Sequence, residues 1–370
     1  MRSPCAVASY LSLGLVSALI VVESARAEPP FVYERVQTVV LTGPQNPSTD
    51  MQVVLDQYAR LVPQPIATLT TAEARRQPTL ADAVNAVLKT RGKRGGSEPV
   101  AQIADRAIAG PAGEIRLRVY TPTADGTGPM PVIIYFHGGG FVIGSVDSYD
   151  ASARALTNAA KAIVISAHYR QGPENKFPAA TEDAFAAYQW TLAHAAEING
   201  DPRRIAVAGE GAGGNLAAGV CIRARDSNVP VPLHQLLIYP LLDSRTDTPS
   251  YSENTNVIPF GRPLIDWYLD HSVSPADRIN PRFALLRAAS FDDLPPATII
   301  TAQIDPLRSE GETYARKLRE ARVDVAHRNY EGVVHDFFGL GAVVPQARSA
   351  VVFAGGRLQQ AFKDAAPIGR

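Results

Sequence analysis

The stretch Ile205-Ala206-Val207-Ala208-Gly209-Glu210-Gly211-Ala212-Gly213-Gly214-Asn215-Leu216-Ala217-Ala218 changes character twice. Its first four residues are uniformly apolar, as in a strand covered on both faces. Its last three are helix formers that open an apolar helical run to Arg225. Between them lie four glycines in six positions, which lets the chain turn more sharply than residues with side chains permit. A strand, a tight turn with Gly211 at its tip, and a helix are expected here.

Outward from this point the same alternation recurs. Further strands are expected at 115–120, 132–136, 163–167, 235–239, 298–301 and 325–330, with helices at 151–160, 180–196, 216–225 and 310–321. Short apolar strands separated by helices predict an α/β fold whose mostly parallel sheet is covered on both faces. Upstream, residues 51–88 have helical periodicity, carried by Val53, Val54, Tyr58 and Leu61 and then by Ala83, Val84, Val87 and Leu88. Thr79 and Asp82 have the spacing of a helix cap. Residues 91–98 read as a linker. The excursion 241–286 carries an expected helix at 264–271, which with 51–90 is expected to roof the C-terminal edge of the sheet.

The 370 residues are 46% hydrophobic and 19% charged, which is globular composition. Thirty-six basic residues balance thirty-six acidic ones and form no basic cluster, so neither nucleic acid nor an anionic membrane is an expected partner. Residues 1–27 read as a signal peptide: Arg2, an apolar core from Leu11 to Val22, then Ala25-Arg26-Ala27. The apolar run is short of the roughly 20 residues a membrane span needs, so export to the periplasm or the outside is expected without a stable anchor. Cys5 would leave with the signal. Cys221, alone in an apolar helix, is expected to be a buried small hydrophobe rather than a nucleophile.

Four motifs stand at the ends of expected strands. A strand, tight turn and helix with serine at the tip form the G-x-S-x-G nucleophile elbow; here the tip is Gly211. His137-Gly138-Gly139-Gly140-Phe141 follows the strand 132–136, where bare glycine N–H groups could approach a developing oxyanion; an ordinary glycine turn is the alternative. Asp305-Pro306-Leu307 follows 298–301, either as the acid of a triad or as a helix start with Pro306 in the first turn. His335, in Gly332-Val333-Val334-His335-Asp336-Phe337-Phe338, follows the last strand. It is the histidine expected to act as base, although a lone histidine is also often a packed core residue. His168, His194, His234, His271 and His327 lack that position.

In this order, HGGGF, GEGAGGN, DPLR and GVVHDFF resemble the bacterial hormone-sensitive-lipase-type esterases, a group with the α/β-hydrolase fold. Similarity also extends over 105–120, 169–180 and 239–242. The resemblance implies a mostly parallel eight-stranded sheet with helices on both faces and a helical cap. Together with the signal peptide (1–27) read above, it divides the chain into an N-terminal arm and cap helices (28–104) and a catalytic domain (105–370) with a cap insertion at about 243–290. It implies Asp305 and His335 as acid and base, and Gly139, Gly140 and Ala212, with Gly138 in the same loop, as the oxyanion hole. Gly211 stands at the nucleophile position, where the family usually has serine in GDSAGG or GESAGG. Smaller departures are Gln171-Gly172 within the usual YRLAPE segment and Ser309 where an acidic residue is common.

Glycine at the tip cannot form an acyl-enzyme. Four readings follow: an esterase scaffold weakened or silenced by loss of its nucleophile; a hydrolase in which His335 activates water; a lyase or dehydratase using the His/Asp dyad; or a binder of a small ligand in the capped pocket. The resemblance implies short- to medium-chain acyl esters, or an apolar ligand, as the partner. Phe141, Tyr169, Trp267, Tyr268 and Phe338 are candidate lining residues, although an aromatic there is as often core as pocket, and Glu210 and Ser145 are not expected to replace the nucleophile. No metal spacing, dinucleotide fingerprint or P-loop occurs, so no cofactor is expected. Oligomeric state is not legible in the sequence.

Overall fold

A computed structural model describes residues 46–61, 64–93, 95, 97–123 and 128–365. The expected signal peptide lies outside them, as does most of the expected N-terminal arm. Eight strands form one sheet: β1 (Gln102–Gly110), β2 (Gly113–Thr121), β3 (Met130–Phe136), β4 (Ile163–His168), β5 (Gly200–Glu210), β6 (Gln235–Ile238), β7 (Ala297–Ile304) and β8 (Val325–Val334). Their order is β1-β2-β4-β3-β5-β6-β7-β8, with β1 and β2 antiparallel to their neighbours and the rest parallel. The expected boundary at 104 falls inside β1, a strand that the sequence reading missed.

The helices are α1 (Thr49–Leu61), α2 (Thr71–Ala74), α3 (Leu80–Thr90), α4 (Asp150–Ala160), α5 (Ala179–His194), α6 (Ala212–Asp226), α7 (Pro249–Glu253), α8 (Arg262–Ser272), α9 (Arg308–Glu320) and α10 (Pro345–Asp364). Strand alternation sorts the interior into two layers. Ile134, Val207, Leu237 and Ile299 pack on one face with Tyr188 of α5, Leu216 and Cys221 of α6, and Leu318 of α9. Ile133, Tyr135, Ala206, Leu236 and Ile300 pack on the other with Leu156 of α4 and Leu358 of α10. Each such leucine or isoleucine, fully buried, contributes about 1.5–3 kcal/mol relative to exposure. Cys221 is one of these core residues, as expected.

The segments flanking the sheet meet around one cavity, which Tyr58 and Leu80 border together with Phe260, Leu264 and Tyr268. α1 and α3 share a core through Val54, Leu55, Val84 and Val87, and the Thr79–Asp82 capping box starts α3. From the excursion after β6, α8 contributes Leu264, Ile265 and Trp267 to the layer that holds α6. Because β3 and β5 to β8 run parallel, the residues that follow them emerge at one edge of the sheet, where open α/β folds place ligands.

Candidate active site

Gly211 joins β5 to α6 with φ 54° and ψ −114°, a backbone conformation that glycine adopts freely and other residues only under strain. Its N–H donates to the Ile238 carbonyl at 3.0 Å, and its own carbonyl accepts from the Leu241 N–H at 3.0 Å. The tip is thus held by the neighbouring strand and the loop behind it. The helix lies so close that a Cβ on Gly213 would come 1.9 Å from the Phe136 carbonyl oxygen. On Gly211, by contrast, a Cβ would meet one side chain only, His335, 3.2 Å from Nε2 and 3.6 Å from Cε1.

His335 is the first residue after β8, and Asp305 the first after β7. His335 Nδ1 and Asp305 Oδ2 are 2.8 Å apart, and Asp305 Oδ1 accepts from the Leu307 N–H at 2.8 Å. Asp305 thus bonds the histidine with one oxygen and the turn before α9 with the other; Leu307 is the N-cap of that helix, so Pro306 lies outside its first turn. A carboxylate acceptor puts the proton on Nδ1 and leaves the Nε2 lone pair directed towards Gly211. Burial pushes the imidazole pKa down, but the charge and hydrogen bond of Asp305, joined by Asp336 and Glu210, outweigh it and raise it above the ordinary 6.5. The Phe260 ring lies parallel to the imidazole at 3.8 Å, and Tyr239 stands 4.6 Å away. His335 is accordingly only 3% exposed.

The glycine loop lies beside the elbow, since a Cβ on Gly138 would come 3.2 Å from the Glu210 carbonyl oxygen. Gly139 and Gly140 have φ of 97° and 60°, and a Cβ on either would collide, with the Ile143 carbonyl and the Tyr268 ring respectively. No backbone hydrogen bond uses the N–H groups of Gly139, Gly140 or Ala212 among the described residues. These are the donors an oxyanion would need. Gly138 passes beneath Tyr149, whose hydroxyl would lie 2.4 Å from an added Cβ. Its carbonyl can only accept, so the 2.8 Å contact with His137 Nδ1 fixes the proton there, and His137 Nε2 accepts from His168 Nδ1–H at 3.1 Å. Burial, then the neighbouring His168, push the His137 pKa down to about 3, so it braces the loop as a neutral ring.

A second brace comes from the segment in which the chain departs from the family pattern. Gln171 Nε2 donates to the carbonyls of Ile143 at 2.7 Å and Gly144 at 3.0 Å. Arg75 donates to the Val142 and Gly172 carbonyls and pairs with Glu174. Gly172 lets α8 approach, since a Cβ there would lie 2.3 Å from the His271 carbonyl. Ser309, the other departure, exchanges hydrogen bonds with Ser250 and so ties α7 to α9. Asn215 of α6 donates to the carbonyls of Leu241 and Phe283, which anchors the excursion at both ends.

Glu210 points into the fold, as expected, with both oxygens accepting from tyrosines, Tyr135 and Tyr239. Burial raises its pKa to about 7 against the pull of those hydroxyls. Ser145 accepts from the N–H groups of Asp147 and Ser148 within its own turn. The other expected histidines bond away from Gly211, His234 to Thr298 and His327 to Thr301, for example.

A cavity of about 100 Å³ adjoins the site, walled in part by Tyr58, Gly139, Tyr149, Phe260, Tyr268 and Asp336. Of the five lining residues expected from the sequence only Tyr268 borders it. Phe141, Tyr169, Trp267 and Phe338 are packed in the core instead, because their rings lie against neighbouring side chains such as Phe283 and His137 rather than towards the opening. Asp336 is the residue that the sequence reading passed over. Its backbone turns left-handed at φ 64°, its Oδ1 lies 3.9 Å from His335 Nε2, and it accepts from the Tyr149 hydroxyl at 2.9 Å.

Comparison with known proteins agrees with this arrangement. A sequence profile described as alpha/beta hydrolase fold matches residues 133–339. Esterase LipI of Mycobacterium tuberculosis is 40% identical over 264 residues, covering 68% of this chain and 80% of its own. Carboxylesterase NlhH of the same species is 40% identical over 247 residues, or 64% and 75% of the two chains. Among solved structures, the hyperthermophilic esterase of Pyrobaculum calidifontis superimposes with a TM-score of 0.77 at 33% identity, over 87% of this chain and 100% of that one. A thermostable esterase from Pseudomonas putida gives 0.78 at 31%, over 87% and 99%. Fold, motif order and relatives converge: the chain belongs to the hormone-sensitive-lipase-type esterases of the α/β-hydrolase fold.

Proposed function

We propose that the protein is a carboxylic-ester hydrolase for short- to medium-chain acyl esters that works without an acyl-serine, and therefore slowly. The observation that carries this reading is the 3.2 Å between His335 Nε2 and the Cβ position of Gly211. A serine there would have its hydroxyl within reach of the base; glycine leaves that space for a water, which takes up about 30 Å³ in the liquid. In this scheme the ester carbonyl oxygen accepts from the N–H groups of Gly139, Gly140 and Ala212. His335 takes a proton from water as the water oxygen bonds to the carbonyl carbon, and Asp305 stabilises the imidazolium. The tetrahedral intermediate then expels the alkoxide, which receives the proton back from His335, and acid and alcohol leave.

Oxyanion binding and positioning alone can sustain about 10³–10⁴-fold acceleration over water when a triad member is missing. The relatives described above are esterases, and no observation in the structure favours a lyase, a dehydratase or a pure ligand binder. The N-terminal pattern supports export, with the periplasm or the outside as the site of action. Labelling by a fluorophosphonate tests the missing covalent step. Residue 211 should stay unlabelled in the wild type and become labelled in Gly211→Ser.

A further inference from the structure

The cavity beside His335 has a one-sided chemistry. Four aromatic rings border it: Tyr58 from α1, Tyr149 from the turn before α4, Phe260 from the excursion and Tyr268 from α8. Two carboxylates, Asp336 and Glu210, border it as well, whereas no lysine or arginine does. Glu210 is taken up by its two tyrosines, but Asp336 is not neutralised in this way. Its side chain is 36% exposed, its hydrogen-bond donor is the neutral Tyr149 hydroxyl, and its nearest basic group is His335 Nε2 at 3.9 Å. The charge reaches across the space: after burial itself, it is what lifts the Tyr58 hydroxyl to about 12 and pushes those of Tyr149 and Tyr268 up.

A carboxylate set among aromatic rings, with no lysine or arginine in the cavity wall and only the neutral form of His335 beside it in the working enzyme, attracts a small organic cation both by its charge and through the ring quadrupoles. The same field repels a carboxylate-bearing ligand. We propose that this cavity is a subsite for the ammonium group of an amine-bearing ester, held between Asp336 and the rings of Tyr58, Tyr149, Phe260 and Tyr268. Since Asp336 stands 3.9 Å from the base, the ammonium would sit within a few bonds of the scissile carbonyl. Cation recognition next to the reacting centre makes Asp336 a specificity-determining residue, and this rests on the esterase reading above.

The test uses two esters of one shape that differ in charge, acetylcholine and 3,3-dimethylbutyl acetate, with Gly211→Ser protein at constant ionic strength. The kcat/KM ratio should favour the cationic ester by about tenfold or more, the factor that 1.4 kcal/mol provides. Adding Asp336→Asn should bring the ratio close to one. A ratio at or below one in Gly211→Ser, or a ratio that Asp336→Asn leaves unchanged, overturns the subsite while turnover of the neutral ester upholds the esterase reading. If neither ester is turned over, the esterase reading fails and binding decides the subsite. Wild-type protein titrated calorimetrically with tetramethylammonium should then show saturable binding that Asp336→Asn weakens about tenfold. No binding, or equal binding by the two proteins, overturns it.

Discussion

Gly211 and His335 face each other across the distance a serine side chain would occupy: a Cβ on the first would lie 3.2 Å from Nε2 of the second. The base is already oriented by Asp305 and already covered by Phe260. In the proposed function, what the site lacks is confined to one side chain.

Gly211→Ala should remove residual hydrolysis rather than preserve it. The methyl group would fill the space assigned to water and press on His335. It would also force an L-residue to adopt φ 54° with ψ −114°, a strain of about 1–3 kcal/mol. Ester turnover and a urea midpoint together check this. Activity above wild type would mean that water does not act from this position.

The pH dependence follows from the raised pKa of His335. Only the neutral ring can accept a proton, so turnover should fall as pH drops through a value above the ordinary 6.5. Asp336 contributes to that rise by its charge, so Asp336→Asn should move the acid limb of kcat/KM to lower pH. Stability runs the opposite way with pH: the contribution of His335 is fully present below its unfolded pKa and is lost as pH rises through the raised folded one. An acid limb unmoved by Asp336→Asn would separate that carboxylate from the base.

Gln171→Leu, which restores the family's usual residue, should destabilise this chain. It would strand the Ile143 and Gly144 carbonyls now held by Gln171 Nε2. Both residues are half-buried, so the loss should stand near the lower end of the about 1–3 kcal/mol that an unpartnered buried group costs. Thermal unfolding should register the loss, and oxyanion-dependent turnover in Gly211→Ser should fall with it. A neutral or stabilising outcome would show that the loop is held without Gln171, by Arg75, His137 and the Tyr169 hydroxyl.

The parts legible in sequence are those with a local signature. Apolar runs such as 132–136 and 205–208 marked the central strands because both of their faces are buried. The motifs declared themselves by standing at strand ends. Strand β1 escaped because it is an edge strand whose residues, except Ile108, are largely solvent-facing, so no apolar alternation marks it. Helix α10 did carry a signal, Pro345 at its start and Val351, Leu358 and Phe362 at helical spacing, that went unread. Asp336 and Phe260 were not legible. One reaches the site through a left-handed turn, and the other from a segment 75 residues before the histidine it covers. Aromatic type alone could not sort Phe141, Tyr169, Trp267 and Phe338, which lie in the core, from Tyr268, which borders the cavity, because core and pocket draw on the same residues.

The most direct measurement is the turnover of a short-chain p-nitrophenyl ester by wild-type protein and by Gly211→Ser, each with and without His335→Ala. With the oxyanion donors, base and acid in place, serine at 211 should raise kcat by about 10³-fold or more, since loss of a catalytic serine costs up to ~10⁶. His335→Ala should abolish both that gain and the residual wild-type rate. A Gly211→Ser protein that folds normally and turns over no faster than wild type would contradict the account, because the defect would then lie beyond the missing side chain.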